Sequence, residues 1–307
     1  MEKITLAQLK GKYLEHICRL LLENAGYTIL QEEPNRVIYR GSNRVIELYG
    51  RGTTHQIDLP YEFKYHVPFV NPIQVIGEVK YYTSQIQKQF IRAFIGVLSD
   101  ITENHVVSHL TNLSGIKERH LTQGLFISAS GFQIEAEKLA YAHNIKLITF
   151  AKNPVFKPIL EKIDYLANLH FHEGIDSLSF SSLDELVHFF NDNIKTYFLA
   201  TTATGHLMYF ISNERFDFDS RIPSYQANIT YSEDIENDNY IQLTVDNRTF
   251  HSSLPESVYR EFVEESQIYG HAIRSKEHHF SPLTVYKLKE GKLNVFQIYY
   301  QARKELR

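Results

Sequence analysis

Leu6, Leu9, Tyr13, Ile17, Leu20 and Leu21 recur at three- and four-residue spacing near the start of the chain, and Gly26 follows them. That period predicts an amphipathic helix over residues 5–25, with the glycine as its stop. The pattern then shortens. YTIL (27–30) and RVIY (36–39) read as strands around a Pro34-Asn35 turn, forming a hairpin, and RVIELYG (44–50) adds another strand. IDLPYEF (57–63) and IQVIGEVKYY (73–82) are two more strand-like runs, separated by a loop with His66, Pro68, Asn71 and Pro72. Helical spacing returns with Ile86, Phe90, Phe94, Val97 and Leu98. GLFIS (124–128) reads as a short buried strand, 132–143 as a helix with Ile134, Leu139 and Ala140 facing inward, and IKLITF (145–150) as an apolar strand. This order predicts an α/β domain with helices flanking a mixed sheet.

Ala151-Lys152-Asn153-Pro154 and Pro158 interrupt the pattern, so a boundary is expected there, between a domain of residues 1–152 and a second of 160–307. The second half predicts a helix near 183–195 and strands at 197–202 and 206–212 joined through Thr204-Gly205. Further strands are expected at 226–231, 240–245, 283–288 and 293–301, with a helix at 255–266. The expectation is an α+β domain rich in antiparallel strands, with most of its Tyr and Phe in the core.

Composition narrows the picture. With 307 residues, 43% hydrophobic and 22% charged, the chain can bury a sizeable core, which excludes global disorder. Residues 1–150 carry 16 Lys/Arg against 14 Asp/Glu and the remainder 16 against 22, so neither half has the basic excess of a phosphate-coated protein. Cys18 is the only cysteine, which excludes an internal disulfide and a cysteine-rich zinc site; it is expected to be a small buried hydrophobe. The N-terminal segment lacks an apolar signal core, and no run approaches the ~18 apolar residues of a membrane span. A cytoplasmic protein is expected.

Candidate chemistry lies in the first half. Cutting a phosphodiester calls for a hard divalent cation held by oxygen ligands, with a lysine alongside to steady the nucleophile or the developing charge. Glu78 and Lys80 are two apart on one strand and so share a face, while Gly77 and Val79 point the other way. Asp58, on a neighbouring strand, is the second carboxylate. Glu-x-Lys also occurs at Glu62-Phe63-Lys64, which alternates like a solvent-facing strand, and at Glu290-Gly291-Lys292, which reads as a hairpin turn. On spacing alone, a surface salt bridge competes with a nuclease site. His55 and Gln56 read either as contacts to DNA or metal-bound water, or as structural partners of the Gly50–Thr54 turn. Arg92 and Asp100 are expected in ion pairs. His278-His279 shows no zinc spacing, and no P-loop, dinucleotide fingerprint or nucleophile elbow is present.

The segments GRGTTHQIDLPYEF (50–63), VPFVNPIQVIGEVKYY (67–82), IRAFIGVLSDI (91–101) and GLFISASGFQIEAEKLAYAHNIKLITF (124–150) occur in order. Together they resemble the Mrr-like branch of the restriction-endonuclease-fold nucleases, the PD-(D/E)xK superfamily, over residues 5–150. The resemblance implies a restriction-endonuclease-like N-terminal fold and a Mg2+-dependent DNA endonuclease, with Mn2+ able to substitute. Asp58 and Glu78 match the family's metal ligands, Lys80 its catalytic lysine, and Glu15 a helix carboxylate that faces the same metal site. Ile57 stands where the motif has proline. By analogy, a nuclease with an added domain serves in restriction or anti-phage defence, as a homo-oligomer and alongside other defence-system proteins. Two other readings compete: a nuclease-fold DNA-binding or scaffold protein without catalysis, and a nuclease acting on RNA or on branched DNA in repair. The second domain is expected to serve oligomerisation, sensing or target selection.

Overall fold

The structure, a computed structural model, describes residues 4–34, 36–40, 45–104, 120–172, 180–232, 239–267 and 271–301. Helix α1 (Leu6–Asn24) starts at a capping box: the Thr5 hydroxyl accepts the Gln8 amide, and the Gln8 side chain accepts the Thr5 amide. It ends where Gly26 takes a φ of +89°, which an L side chain rarely adopts. Its inner face, Leu9, Tyr13, Leu14, Ile17, Cys18, Leu21 and Leu22, is buried, so Cys18 is the core hydrophobe expected of it.

Strands β1 (Tyr27–Ile29), β5 (Leu59–Phe63), β6 (Ile73–Lys80), β7 (Leu121–Ser128) and β8 (Lys146–Thr149) form one sheet in the order β1-β5-β6-β7-β8. The first three are antiparallel neighbours and the last three parallel, which is the expected mixed sheet. Strands β2 (Val37–Arg40), β3 (Val45–Tyr49) and β4 (Thr54–Gln56) make a separate antiparallel sheet. The hairpin expected between residues 27 and 39 is therefore not formed. Tyr27 and Ile29 lie opposite Phe63 and Tyr61, whereas Val37 lies opposite Leu48; Tyr27 packs on the α1-side cluster, Val37 belongs to the α2-side one, and Ile29 touches both. Asn35 of the expected turn lies outside the described residues. Helices α2 (Lys88–Thr102) and α3 (Ile134–Ala142) cover one sheet face through Ile76, Phe126 and Leu147, and α1 covers the other through Leu59, Val75, Val79 and Ile127.

Helix α4 (Lys157–His172) was not expected, because Pro158 reads as a breaker. It sits in the first turn, where a missing backbone N–H costs nothing. With α5 (Phe180–Asn193), α4 packs on α1. Beyond them β9 (Thr196–Thr201), β10 (Leu207–Ser212), β11 (Ser224–Tyr231), β12 (Tyr240–Val245), β13 (Arg248–Ser253), β14 (Leu283–Lys289) and β15 (Lys292–Tyr300) close into a barrel, accompanied by α6 (Glu256–Gln267) and α7 (His271–Phe280). The expected helices and antiparallel strands are thus organised around a closed barrel. The strands are mostly antiparallel as read, but the parallel pairing of β11 with β15 closes them around Phe198, Phe210, Phe218, Phe250 and Phe296. His279 is buried against Phe262. Glu290 and Gly291 make the β14–β15 turn, both at positive φ.

The wall β9–β10 is apolar on both faces. Phe198, Ala200, Met208 and Phe210 fill the barrel, while Leu199, Tyr209 and Ile211 join α1, α4 and α5 in one continuous core. Among the described residues no helix is long and apolar enough to cross a membrane.

Candidate active site

The β5–β6 pair builds the site from its backbone. Leu59 lies opposite Gly77, and a Cβ on Gly77 would come 2.7 Å from Leu59 Cβ, so glycine permits this close approach. One residue further the ladder ends. There Asp58 Oδ2 accepts the Val79 amide at 2.9 Å, a side chain standing in for the missing strand carbonyl. This fixes the Asp58 carboxylate beside the Glu78-Val79-Lys80 segment and leaves Oδ1 for a ligand. Val79 is 3% exposed and anchors β6 in the α1-side core, which turns Glu78 and Lys80 to the opposite face. The Lys80 ammonium donates to Glu78 Oε1.

Electrostatics tie Glu15 to the same place. Burial, then the charge of Asp58, push its carboxyl up to about 7, against the opposing pull of Arg19, Lys12 and Lys80. Asp58 is raised by burial, partly offset by the Val79 amide and by Lys80 and Arg19. Glu78 is raised by burial and by Asp58, which outweigh Lys80. Burial pulls the Lys80 ammonium down, but Glu78 and Asp58 outweigh it and the net shift is upward. Asp58 is thus fixed beside the Glu78–Lys80 pair, and Glu15 feels the charges of Asp58 and Lys80.

The carboxylate donors suit a hard cation, being oxygen ligands and partly desolvated. Among the described residues no three His, Cys, Asp or Glu side chains stand at ligand spacing. A Mg2+ site does not require three, since one or two carboxylates with waters and substrate oxygens suffice.

His55 is directed elsewhere. Its Nε2 lies 2.8 Å from Asp100 Oδ2 on α2, and Asp100 also accepts the amides of Gly52 at 2.9 Å and Thr53 at 3.4 Å. The His55 bond, ahead of the two amides, holds the Asp100 carboxyl below its usual range. A Cβ on Gly50 would sit 2.0 Å from Asp100 Oδ2, so only glycine fits there. His55 is thus linked to the Gly50–Thr54 turn through Asp100. Asp100 pairs with His55 and not with Arg92, which is exposed. Gln56 is exposed on β4. Sequence reading passed over Lys12 and Arg19, although 12, 15 and 19 share one face of α1 by helical spacing.

Residues 6–152 match the family model of the Mrr-type catalytic domain, described as a restriction endonuclease. Comparison with curated proteins finds no match. One similar solved structure, described as a protein of unknown function AF1548, is 14% identical, with a TM-score of 0.30 and coverage of 58% of this chain and 95% of its own.

Proposed function

We propose that the restriction-endonuclease-type segment 6–152 hydrolyses DNA phosphodiester bonds with Mg2+ held by Asp58 and Glu78, Mn2+ serving in its place. The observation that carries this reading is the cluster of Asp58, Glu78, Glu15 and Lys80 inside a segment that matches a nuclease family. When bound, such a cation draws in the phosphate and acidifies an attacking water. Asp58, held by the Val79 amide, presents its free oxygen without reorganisation. Lys80 shares its ammonium between Glu78 and the oxygen on which charge develops, an electrostatic role. Glu15, with a carboxyl that exchanges its proton near neutral pH, fits as the group beside the attacking water.

Cutting both strands of a duplex needs two sites facing opposite backbones, which a homo-oligomer supplies by symmetry. The barrel half, about −6 in net charge, is poorly suited to following phosphates. We assign it to assembly, sensing or target selection. Restriction or anti-phage defence in the cytoplasm, alongside other defence-system proteins, is the setting we attach to this reading. Supercoiled plasmid incubated with Mg2+ should become nicked or linear, and EDTA should prevent it. Plasmid left intact under every metal tried would overturn the proposal.

A further inference from the structure

Arg19 lies one turn beyond Glu15 on α1, on the same face. Its Nη2 stands 4.0 Å from Glu15 Oε2, beyond hydrogen-bond length. Its Nε is buried with no hydrogen-bond partner, while the side chain as a whole is 39% exposed. Of the other two cations that act on Glu15, Lys80 is already bonded to Glu78 and Lys12 lies on α1 itself. A guanidinium placed only to neutralise Glu15 would close on it to about 2.8 Å, as charge-assisted pairs do. The guanidinium is thus held at the edge of a carboxylate site with its Nη groups reachable from solvent and its buried Nε unpaired. The acceptor that suits such a group best is an anion with paired oxygens. A phosphodiester is such an anion, and the planar guanidinium fork suits its paired oxygens better than an ammonium would.

We infer that Arg19 grips a backbone phosphate of the bound strand next to the Asp58–Glu78 site. This rests on the nuclease reading and adds a substrate contact to it. The contact is made to phosphate and not to a base, so it is indifferent to sequence.

The test uses the full chain and a fluorescent DNA duplex, with Ca2+ replacing Mg2+ to suspend cutting while affinity is followed across salt concentrations. Arg19→Met, which keeps the aliphatic stem, should weaken binding about 10-fold for any duplex sequence and lower the log–log salt slope by about 1. Arg19→Lys should keep the slope but lose part of the affinity, because the charge remains and the fork does not. In Mg2+, cleavage by Arg19→Met should fall about 10- to 100-fold. If Arg19→Met does not fold, as judged by circular dichroism, Arg19→Lys alone decides. An unchanged slope in Arg19→Met, or full affinity and full cleavage in Arg19→Lys, overturns the inference. A wild type that cuts with an Arg19-independent slope keeps the nuclease and removes this role. One that binds with an Arg19-dependent slope but never cuts does the reverse, and one that neither binds nor cuts removes both.

Discussion

At the scale of single residues, the carboxylates are held in a place where their charges are costly. Glu78→Ala or Lys80→Ala should lower DNA cleavage by about 10²-fold or more, because a group stabilising the transition state is lost. The melting temperature should hold or rise in Glu78→Ala, which removes a costly charge, and fall in Lys80→Ala, which leaves Glu78 and Asp58 without their cation. Glu78→Ala cutting at the wild-type rate would remove it from the site. Glu15 gives a pH signature. Its carboxyl titrates near 4.5 in the unfolded chain and at about 7 when folded. Between those values the folded state binds the extra proton, so this group's contribution is complete below about 4.5 and is lost as pH rises through about 7. The melting temperature of metal-free wild type, taken relative to Glu15→Gln, should therefore decline across that window. A difference that stays level, or rises, would contradict the burial assigned to Glu15.

At the scale of elements, two devices position the site. One is the close approach of β5 to β6 at Gly77. The other is the Asp100 carboxylate, which ties the turn before β4 to the end of α2. Asp100→Ala strands the Gly52 amide and His55 together, so a loss of about 1–3 kcal/mol in urea unfolding is expected. Asp100→Asn, which keeps an acceptor but not the charge, should lose less. Equal losses would mean that shape and not charge holds the turn. These devices explain why Glu-x-Lys at 78–80 differs from the same spacing at 62–64. Glu62 is drawn to Arg36 at 2.9 Å, and the only carboxylate it shares that guanidinium with among the described residues, Glu33 at 2.8 Å, is neutralised by the same arginine.

At the scale of the whole molecule, the first half and the barrel share one core. Phe150 stacks on Phe156 at 4.0 Å and meets Tyr209 of β10 edge-on at 5.8 Å. Glu137 of α3, fully buried, accepts the amides of Glu256 at 2.8 Å and Ser257 at 2.7 Å and so caps α6 across the junction. Lys146 of β8 reaches the Gly205 carbonyl at 3.0 Å. The full chain should therefore melt in a single transition, and Glu137→Ala should lower its stability by about 1–3 kcal/mol. A fragment of residues 1–155 lacks Ile159, Ile163 and Leu166, which cover α1, and should be markedly less stable than the full chain. Two resolved transitions in calorimetry would show that the shared core does not couple the halves.

The periodic elements were legible in the sequence because their signal is local. Residues 6–24, the 73–80 strand and the 134–142 helix each declare themselves within one window of apolar spacing. The candidate pair Glu78 and Lys80 stood out because charges ending an apolar strand conflict with local folding preference. What the tertiary structure decided depends on contacts between distant positions. The fate of β1 rests on pairing Tyr27 with Phe63, and barrel closure on the parallel register of Ser224 with Gln297. His55 meets Asp100 across 45 positions, and Glu137 caps a helix 119 positions away. Even Pro158 needed its place in a helix's first turn to be read. Patterns within a turn or a strand follow from side-chain periodicity, but which buried polar group meets which partner is decided only when strands and helices close on one another.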